Sequence, residues 1–115
     1  MTTMTDLHAG IPVSDLDASR RWYETFFGRP ADHVAGDELL WGVAEHAWIF
    51  IEERRDHVGA GRVTISTTGL DRLVADLDAR RIAHGPVHTY GNGVRHMTVL
   101  DPDGNSISFA QAPAD

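Results

Sequence analysis

The first half of the chain contains short segments in which apolar residues alternate with small or polar ones, and one longer segment with helical spacing. Leu7 to Val13 alternates with a period of two, which predicts a strand. Ser14 or Asp15 can cap the helix that follows, and Gly28 can end that helix in the left-handed conformation. Three further short segments are predicted strands: 32–35, 38–44 and 47–53. The pattern therefore predicts the order β-α-β-β-β.

The second half repeats this order after a polar stretch. Residues 62–68 are rich in β-branched side chains, which favours a strand. Residues 70–81 place their aliphatic side chains on one helical face, which predicts an amphipathic helix. The remaining predicted strands are 84–89, 94–100 and 105–111, and the turn Asp-Pro-Asp-Gly separates the last two.

The two halves also match in sequence. Residues 11–18 align with residues 65–72 at an offset of 54, and residues 48–53 align with residues 106–111 at an offset of 58. Both matches occur in the same order as the repeated β-α-β-β-β pattern. We therefore interpret the chain as an internal duplication.

Composition narrows the kinds of protein this can be. A length of 115 residues with 42% hydrophobic residues predicts a single globular domain, 1–115. Cysteine is absent, which excludes disulfides, thiol nucleophiles and thiolate metal sites. The net charge of −7 argues against nucleic acid and anionic membranes as partners and favours a cationic ligand. Residues 1–6 do not resemble a signal peptide, and no apolar run is long enough to span a membrane. We expect a cytoplasmic protein.

Two segments resemble a known family. The opening His8-Ala-Gly-Ile-Pro-Val-Ser-Asp-Leu-Asp-Ala-Ser, followed by Trp22-Tyr23, resembles the first strand and helix of the vicinal-oxygen-chelate superfamily. This superfamily includes glyoxalase I, bleomycin-resistance proteins and extradiol dioxygenases. Leu100-Asp-Pro-Asp-Gly-Asn-Ser-Ile-Ser-Phe resembles their last turn and strand. The resemblance implies an α+β fold in which two βαβββ modules, about 7–53 and 62–111, form curved mixed sheets around a cleft that dimerisation completes.

The resemblance also implies where a divalent metal would bind. The family's ligands lie at equivalent strand positions, which in this chain hold His8, Phe50, Arg62 and Ser108. A guanidinium has no acceptor atom and repels a cation, a phenylalanine has no ligating atom, and a neutral serine hydroxyl is a poor ligand. A divalent site needs three or four convergent ligands. We therefore expect no metal and no other cofactor.

Strand alternation indicates which side chains line the cleft. Trp48 and Phe50 either stack on a planar ligand or fill the space that a metal would take. Arg62 either binds an anionic group or pairs with Glu52 across the cleft. His8 either contacts the ligand or is a remnant of an ancestral metal site. The predicted ligand-binding residues are His8, Trp48, Phe50, Glu52, Arg62, Thr64, His96, Thr98 and Ser108.

The sequence leaves three functions open. The first is a metal-free protein that binds a small organic compound, planar or aromatic, and resembles the bleomycin-resistance proteins, which are dimers that sequester a toxic compound. The second is a lyase, isomerase or dioxygenase with an unusual metal set, or with His8 and His96 as acid and base. The third is an interaction module without a ligand, and fold alone does not separate the three. A homodimer is expected because so short a chain buries little of its surface and leaves strand edges uncovered. The other histidines are interpreted as surface residues: His33, His46, His57, His84 and His88.

Overall fold

A computed structural model describes residues 1–114, and Asp115, the last residue of the predicted domain, lies outside the described residues. The first module consists of β1 Leu7–Val13, α1 Leu16–Phe27, β2 His33–Ala35, β3 Glu38–Ala44 and β4 Ala47–Glu53. A short 3-10 turn follows at Arg55–His57. The second module consists of β5 Arg62–Ser66, α2 Leu70–Ala79, β6 His88–Thr89, β7 Arg95–Leu100 and β8 Ser106–Gln111. The predicted β-α-β-β-β order is confirmed in both halves. Neither helix of residues 1–114 has the length and apolar composition needed to cross a membrane.

Each module forms its own four-stranded mixed sheet. The strand order is β1-β4-β3-β2 in the first sheet and β5-β8-β7-β6 in the second. The β1–β4 and β5–β8 pairs are parallel, and the other neighbouring strands are antiparallel. His8 lies opposite Trp48, and Arg62 lies opposite Ser106, which are the equivalent pairs at the repeat offsets. The α+β fold and the duplication are therefore confirmed.

The first helix begins and ends as the sequence predicts. Asp15 is its N-cap, and the Asp15 Oδ1 accepts a hydrogen bond from the Ala18 N–H at 3.0 Å. Gly28 follows the last turn with φ of 76°, a left-handed conformation that glycine adopts without steric cost. Local capping interactions thus set both ends of the helix that connects β1 to β2.

The second helix ends at Ala79, earlier than the predicted 81, for a local reason. Arg81 has φ of 59° and so adopts the left-handed conformation. The Ile82 N–H donates to Leu77 O at 2.9 Å, and the Arg81 N–H donates to Asp78 O at 3.1 Å. This is the hydrogen-bond pattern of a Schellman motif, which usually has a glycine in the left-handed position. The sequence carries no glycine there, so the usual signal of a helix end is missing.

Replacing Arg81 with glycine is expected to raise the free energy of unfolding by about 0.5 to 1 kcal/mol, because glycine avoids the Cβ clash of the left-handed conformation. Chemical denaturation measures this change. Ala75→Gly is the matched control, since it places glycine inside α2 and should lower the stability by about 1 kcal/mol. Destabilisation by both changes would contradict the prediction.

The strand predicted at 84–89 is shorter in the structure, which forms a ladder only at His88–Thr89. Pro86 has no N–H to contribute to a ladder. The His84 ring lies 2.8 Å from Asp78 Oδ1 and 2.7 Å from Gly85 O. In this segment the Gly85 N–H still donates to Thr98 O on β7 at 2.9 Å, but side-chain contacts of His84 take the place of a regular ladder. They also raise the pKa of the imidazole above its ordinary value, through the hydrogen bonds to Gly85 and Asp78.

Both helices pack into one hydrophobic core that the two modules share. The ring centroid of Phe26 on α1 lies 6.0 Å from that of Phe109 on β8. Buried side chains from both sheets belong to the same core: Ile11, Val13, Leu39, Trp41, Ile49, Ile51, Met97, Val99, Ile107 and Phe109. The helices thus cover one face of each sheet. We call the opposite face of each sheet its open face.

The Asp-Pro-Asp-Gly-Asn turn between β7 and β8 joins the modules through buried hydrogen bonds. The Tyr23 hydroxyl on α1 donates to Asp101 Oδ2 at 2.7 Å. The Asn105 Nδ2 donates to Asp101 Oδ2 and to Pro12 O, both at 2.8 Å, and Asn105 Oδ1 accepts from the Gly61 N–H at 2.8 Å. Burial, together with the Asp101 carboxylate, raises the pKa of Tyr23 far above its ordinary value, so the hydroxyl remains a donor. The turn is therefore a contact between modules as well as a chain reversal.

The two sheets meet edge to edge beside this turn. Both β1 and β5 are edge strands, and they do not pair with each other in the described part of the chain. Pro12 has no N–H, and its Cδ lies 3.1 Å from where a Cβ of Gly61 would be. The side chain of Asn105 makes the connection instead, through its bond to Pro12 O.

Candidate ligand-binding site

Trp48 lies on the open face of the first sheet between two histidines. Its ring centroid is 6.2 Å from that of His8 on β1 and 5.3 Å from that of His33 on β2. The Trp48 Nε1 donates to Asp6 Oδ2 at 2.9 Å, and this hydrogen bond lowers the pKa of Asp6. Gly42 lies opposite Trp48 on β3, where a Cβ would be 3.3 Å from the indole ring. The indole is therefore held in one orientation while it stays half-buried and accessible to a ligand.

Phe50 covers Gly10 on the same face. A Cβ on Gly10 would lie 2.5 Å from the Phe50 Cζ, so the ring can occupy this place only because residue 10 is glycine. Leu40 lies opposite Phe50 on β3 and is only 7% exposed, although it is outside the shared core. Phe50 and Leu40 form an apolar floor beside Trp48.

The open face of the second sheet carries hydroxyl groups instead of rings. The strand register places Thr64, Ser108 and Thr98 side by side on β5, β8 and β7. The Thr98 Oγ1 and Ser108 Oγ lie 2.8 Å apart and are hydrogen-bonded. Each hydroxyl can both donate and accept, so this row suits the polar edge of an organic ligand.

Arg62 is exposed at the start of β5 and forms no ion pair within residues 1–114. The alternative in which Arg62 pairs with Glu52 is wrong. The Glu52 Oε1 lies 3.4 Å from the Arg54 Nη1, because Arg54 is close along the chain and needs no contact across the sheets. The Arg62 guanidinium is thus available to an anionic group.

His96 lacks the partner that an acid-base catalyst usually has. It lies opposite His88, and its ring centroid is 5.9 Å from that of Tyr90. Among the described residues, no carboxylate lies within 4.0 Å of His96 or of His8. A catalytic histidine is normally oriented by a hydrogen-bonded group, and within residues 1–114 no carboxylate orients either ring.

The family's metal positions do not fit a divalent ion in this chain. Within residues 1–114 no group of three or more histidine or acidic side chains is arranged to hold one. Of the four equivalent positions, His8 supplies a ligating nitrogen, Phe50 supplies a ring over Gly10, and Ser108 is hydrogen-bonded to Thr98. The fourth position holds a permanent cation. One ligand does not make a site.

A pocket of about 240 Å³ lies where β1, β3 and β4 meet β5, and much of its lining belongs to the faces that pack on the core, including Ala9, Ile49 and Val63. Two of the predicted ligand-binding residues line it, Trp48 from the first sheet and Thr64 from the second. The other predicted residues lie outside this pocket: His8, Phe50, Glu52, Arg62, His96, Thr98 and Ser108. The structure thus brings His8 to Trp48, and Thr64 to Ser108 and Thr98. The convergence of all nine on one ligand stays a prediction.

Two neighbours of Trp48 are missed by the sequence interpretation. His33 is exposed, as predicted for a surface residue, and its ring also lies against the indole. The strand register is the signal that places His33 on the open face. It lies opposite Leu40 on β3, Leu40 lies opposite Phe50 on β4, and Phe50 shares its face with Trp48. Asp6 precedes β1, and strand alternation says nothing about the path of the chain before a strand.

Several solved structures resemble this chain over nearly its full length. A glyoxalase/bleomycin resistance protein from Catenulispora acidiphila DSM 44928 is 32% identical, covers 96% of this chain and 100% of its own, and superposes with a TM-score of 0.88. A lactoylglutathione lyase from Agrobacterium tumefaciens is 17% identical, covers 96% of both chains and has a TM-score of 0.76. The oxidase ChaP-H1 is 20% identical, covers 96% of this chain and 98% of its own, and has a TM-score of 0.75. The last two show the fold alone. No curated protein matches the chain significantly.

The family assignment agrees with the duplicated sheets and the terminal turn. The sequence profile of the Glyoxalase/Bleomycin resistance protein/Dioxygenase superfamily matches residues 7–109, which span both modules. This chain therefore belongs to the Glyoxalase/Bleomycin resistance protein/Dioxygenase superfamily.

Proposed function

We propose that this protein binds a planar or aromatic organic compound on its open sheet faces without a metal and without turnover, in the manner of bleomycin-resistance proteins. We place it in the cytoplasm, where it would protect the cell by sequestering a toxic compound. The observation that carries the proposal is the replacement of the metal ligands by rings and hydroxyls. Phe50 takes a ligand position, and Trp48 lies next to it on the same strand face.

The chemistry of the two open faces supports this class of ligand. Small-molecule sites combine an apolar, aromatic lining with a few polar groups that orient the ligand. Trp48, Phe50 and Leu40 supply the apolar part. Thr64 and Thr98 supply hydroxyls on the other sheet, and Arg62 supplies a guanidinium without an ion-pair partner in residues 1–114.

An enzymatic function has weaker support. A relative by fold is a lactoylglutathione lyase, but the likeness is 17% in sequence and concerns the fold alone. The two histidines that could act as acid and base, His8 and His96, have no orienting carboxylate in the described part of the chain. Binding without turnover requires neither a relative that is a lyase nor a carboxylate that orients a catalytic histidine.

A ligand screen tests the proposal. Anionic and cationic aromatic compounds are mixed with the purified protein, and thermal shift and tryptophan fluorescence report binding. Hits should raise the melting temperature, because a ligand that binds only the folded state stabilises it. They should be recovered unchanged by mass spectrometry. Chemical conversion of a hit would contradict sequestration, and a screen without hits would favour the interaction-module alternative.

The purified protein is expected to carry no stoichiometric divalent metal. The reason is chemical, since Arg62 and Phe50 stand where two ligands would be needed. Elemental analysis after dialysis measures this directly. About one zinc, nickel, manganese or iron per chain would contradict the expectation.

We also propose that the protein is a homodimer. The outer strands β2 and β6 are short and exposed, and Val34 on β2 is 68% exposed. Uncovered strand edges and exposed apolar side chains favour association, and two-fold symmetric dimers are the commonest outcome. Light scattering at micromolar concentration should therefore give twice the chain mass of 12.6 kDa. A monomer mass would contradict the proposal.

A further inference from the structure

A second cavity lies on the helix side of the sheets, between α1, α2 and the end of β5. It has a volume of about 300 Å³. Its apolar wall includes Phe26 and Phe27 from α1, Leu73 from α2, Ile65 and Phe109. None of the nine residues predicted to bind the ligand on the open faces lines it. This cavity is therefore a separate place in the molecule.

The internal duplication allows the cavity wall to be compared with the equivalent place in the other repeat. In one half of the pseudo-symmetric interface, the Tyr23 hydroxyl reaches Asp101 at 2.7 Å and fills the space between the modules. At the repeat offsets of 54 and 58, Leu77 stands in the place of Tyr23 and Val43 in the place of Asp101. These aliphatic side chains cannot form the hydrogen bond that Tyr23 and Asp101 form. Val43 lines the cavity, and Leu77 is fully buried in the shared core.

A partly satisfied guanidinium borders this cavity. The Arg80 Nη1 donates to Phe26 O at 3.0 Å, and this bond uses one of its five N–H groups. Within residues 1–114 no carboxylate lies within 4.0 Å of Arg80. The second guanidinium at the rim, that of Arg29, is already paired with Asp32 at 3.0 Å.

The one acidic side chain in the lining does not neutralise Arg80. Asp76 is paired with Arg72, whose Nε lies 3.2 Å from Asp76 Oδ1. The cavity therefore combines an apolar wall with the Arg80 guanidinium at its rim, which has no ion-pair partner among residues 1–114. A half-buried cation of this kind favours an anionic group that accepts hydrogen bonds.

We infer that this cavity binds a small monocarboxylate with an apolar body. The carboxylate pairs with Arg80, and the body lies against Leu73 and the phenylalanine rings. The volume is at the lower limit of small-molecule sites, which range from about 300 to 1,000 Å³, so the ligand is short. A short fatty acid and an arylalkanoic acid share this chemistry.

Isothermal titration with three probes tests the inference and separates the two sources. Octanoate represents the linear acids, 3-phenylpropanoate represents the aromatic acids, and octan-1-ol is the uncharged control. The native protein should bind at least one of the acids about tenfold more tightly than octan-1-ol, since a charged hydrogen bond contributes to the acid alone. Binding of neither acid, or equal affinity for octanoate and octan-1-ol, would overturn the inference.

Two variants locate the binding. Arg80→Gln should weaken the bound acid about tenfold and leave octan-1-ol unchanged, whereas Arg20→Gln, which removes the same charge from α1 outside the cavity, should change neither. Leu73→Phe should abolish octanoate binding by filling the cavity, and it keeps the test decisive if Arg80→Gln does not fold. Trp48→Ala should leave octanoate binding intact, because Trp48 belongs to the open face and octanoate has no ring to stack on it. Octanoate binding that survives Leu73→Phe would show that the cavity is not the site.

Discussion

Replacing Asn105 with aspartate is expected to lower the free energy of unfolding by about 3 kcal/mol or more. The Asn105 Nδ2 donates to Pro12 O and to Asp101 Oδ2, both at 2.8 Å, and the residue is fully buried. The substitution keeps the shape of the side chain but replaces the donating Nδ2 with a carboxylate oxygen. That oxygen faces two other acceptors, Pro12 O and Asp101 Oδ2. The substitution also places a second carboxyl group against Asp101 in a site without water access. Urea denaturation monitored by circular dichroism measures the loss.

The pH dependence distinguishes this electrostatic cause from a packing defect. Burial and the neighbouring carboxylate should raise the pKa of the introduced carboxyl in the folded state. A raised folded-state pKa means that the folded variant binds a proton more tightly than the unfolded one, so its deficit relative to the native protein is largest at neutral pH and shrinks in acid. Ser14→Ala is the control, since it removes one bond to Asp103 of 2.6 Å and adds no charge. It should cost about 1 kcal/mol with no comparable pH dependence. A pH-independent deficit in Asn105→Asp would contradict this account.

Replacing Trp48 with alanine is expected to weaken the binding of the aromatic ligands found by screening by about 2 kcal/mol, or roughly thirtyfold in affinity. About half of this is the stacking contribution, and the rest is the apolar area that the ligand no longer buries. Isothermal titration measures the change for each ligand. The melting temperature should fall little, because Trp48 lies outside the shared core.

Trp48→Phe is the matched variant, since it retains an aromatic ring but loses the bond to Asp6 and part of the ring area. It should keep most of the affinity if stacking carries the binding. Arg62→Gln separates the ligand classes, because it should weaken anionic ligands and leave cationic ones unaffected. Equal affinity of native protein and Trp48→Ala would place the ligand elsewhere and remove the main support for the proposed function.

The open faces could be predicted because strand alternation is a local property. Glu38–Ala44 and Ala47–Glu53 have the predicted bounds, and their alternation assigns Trp48 and Phe50 to the face away from the helices. The same alternation assigns Thr64 to the open face of the second sheet. Side-chain environment repeats every second residue, so it can be read without knowledge of the partner strands.

Contacts between distant segments could not be predicted in the same way. Asn105 and Pro12 are 93 residues apart, and the sequence of a turn does not indicate to which backbone carbonyl its asparagine side chain will donate. The pairing of Glu52 with Arg54 could not be predicted either, because strand alternation tells which face a side chain is on and not which of several charged neighbours it will bind. The end of α2 was missed because Arg81 adopts a conformation that its sequence does not signal. These features depend on tertiary geometry.

The proline at the edge of β1 has a consequence for the shape of the binding surface. Pro12 cannot donate to a ladder between β1 and β5, and the two strands do not pair, so the angle between the sheets is maintained by the side-chain bonds near Asn105 and by the core that the modules share. A change of that angle would break none of the hydrogen bonds inside either sheet. Substitutions at these bonds and in the shared core could therefore change the angle between the two open faces, and so adapt their spacing to ligands of different thickness, while the hydrogen bonds inside each sheet stay the same.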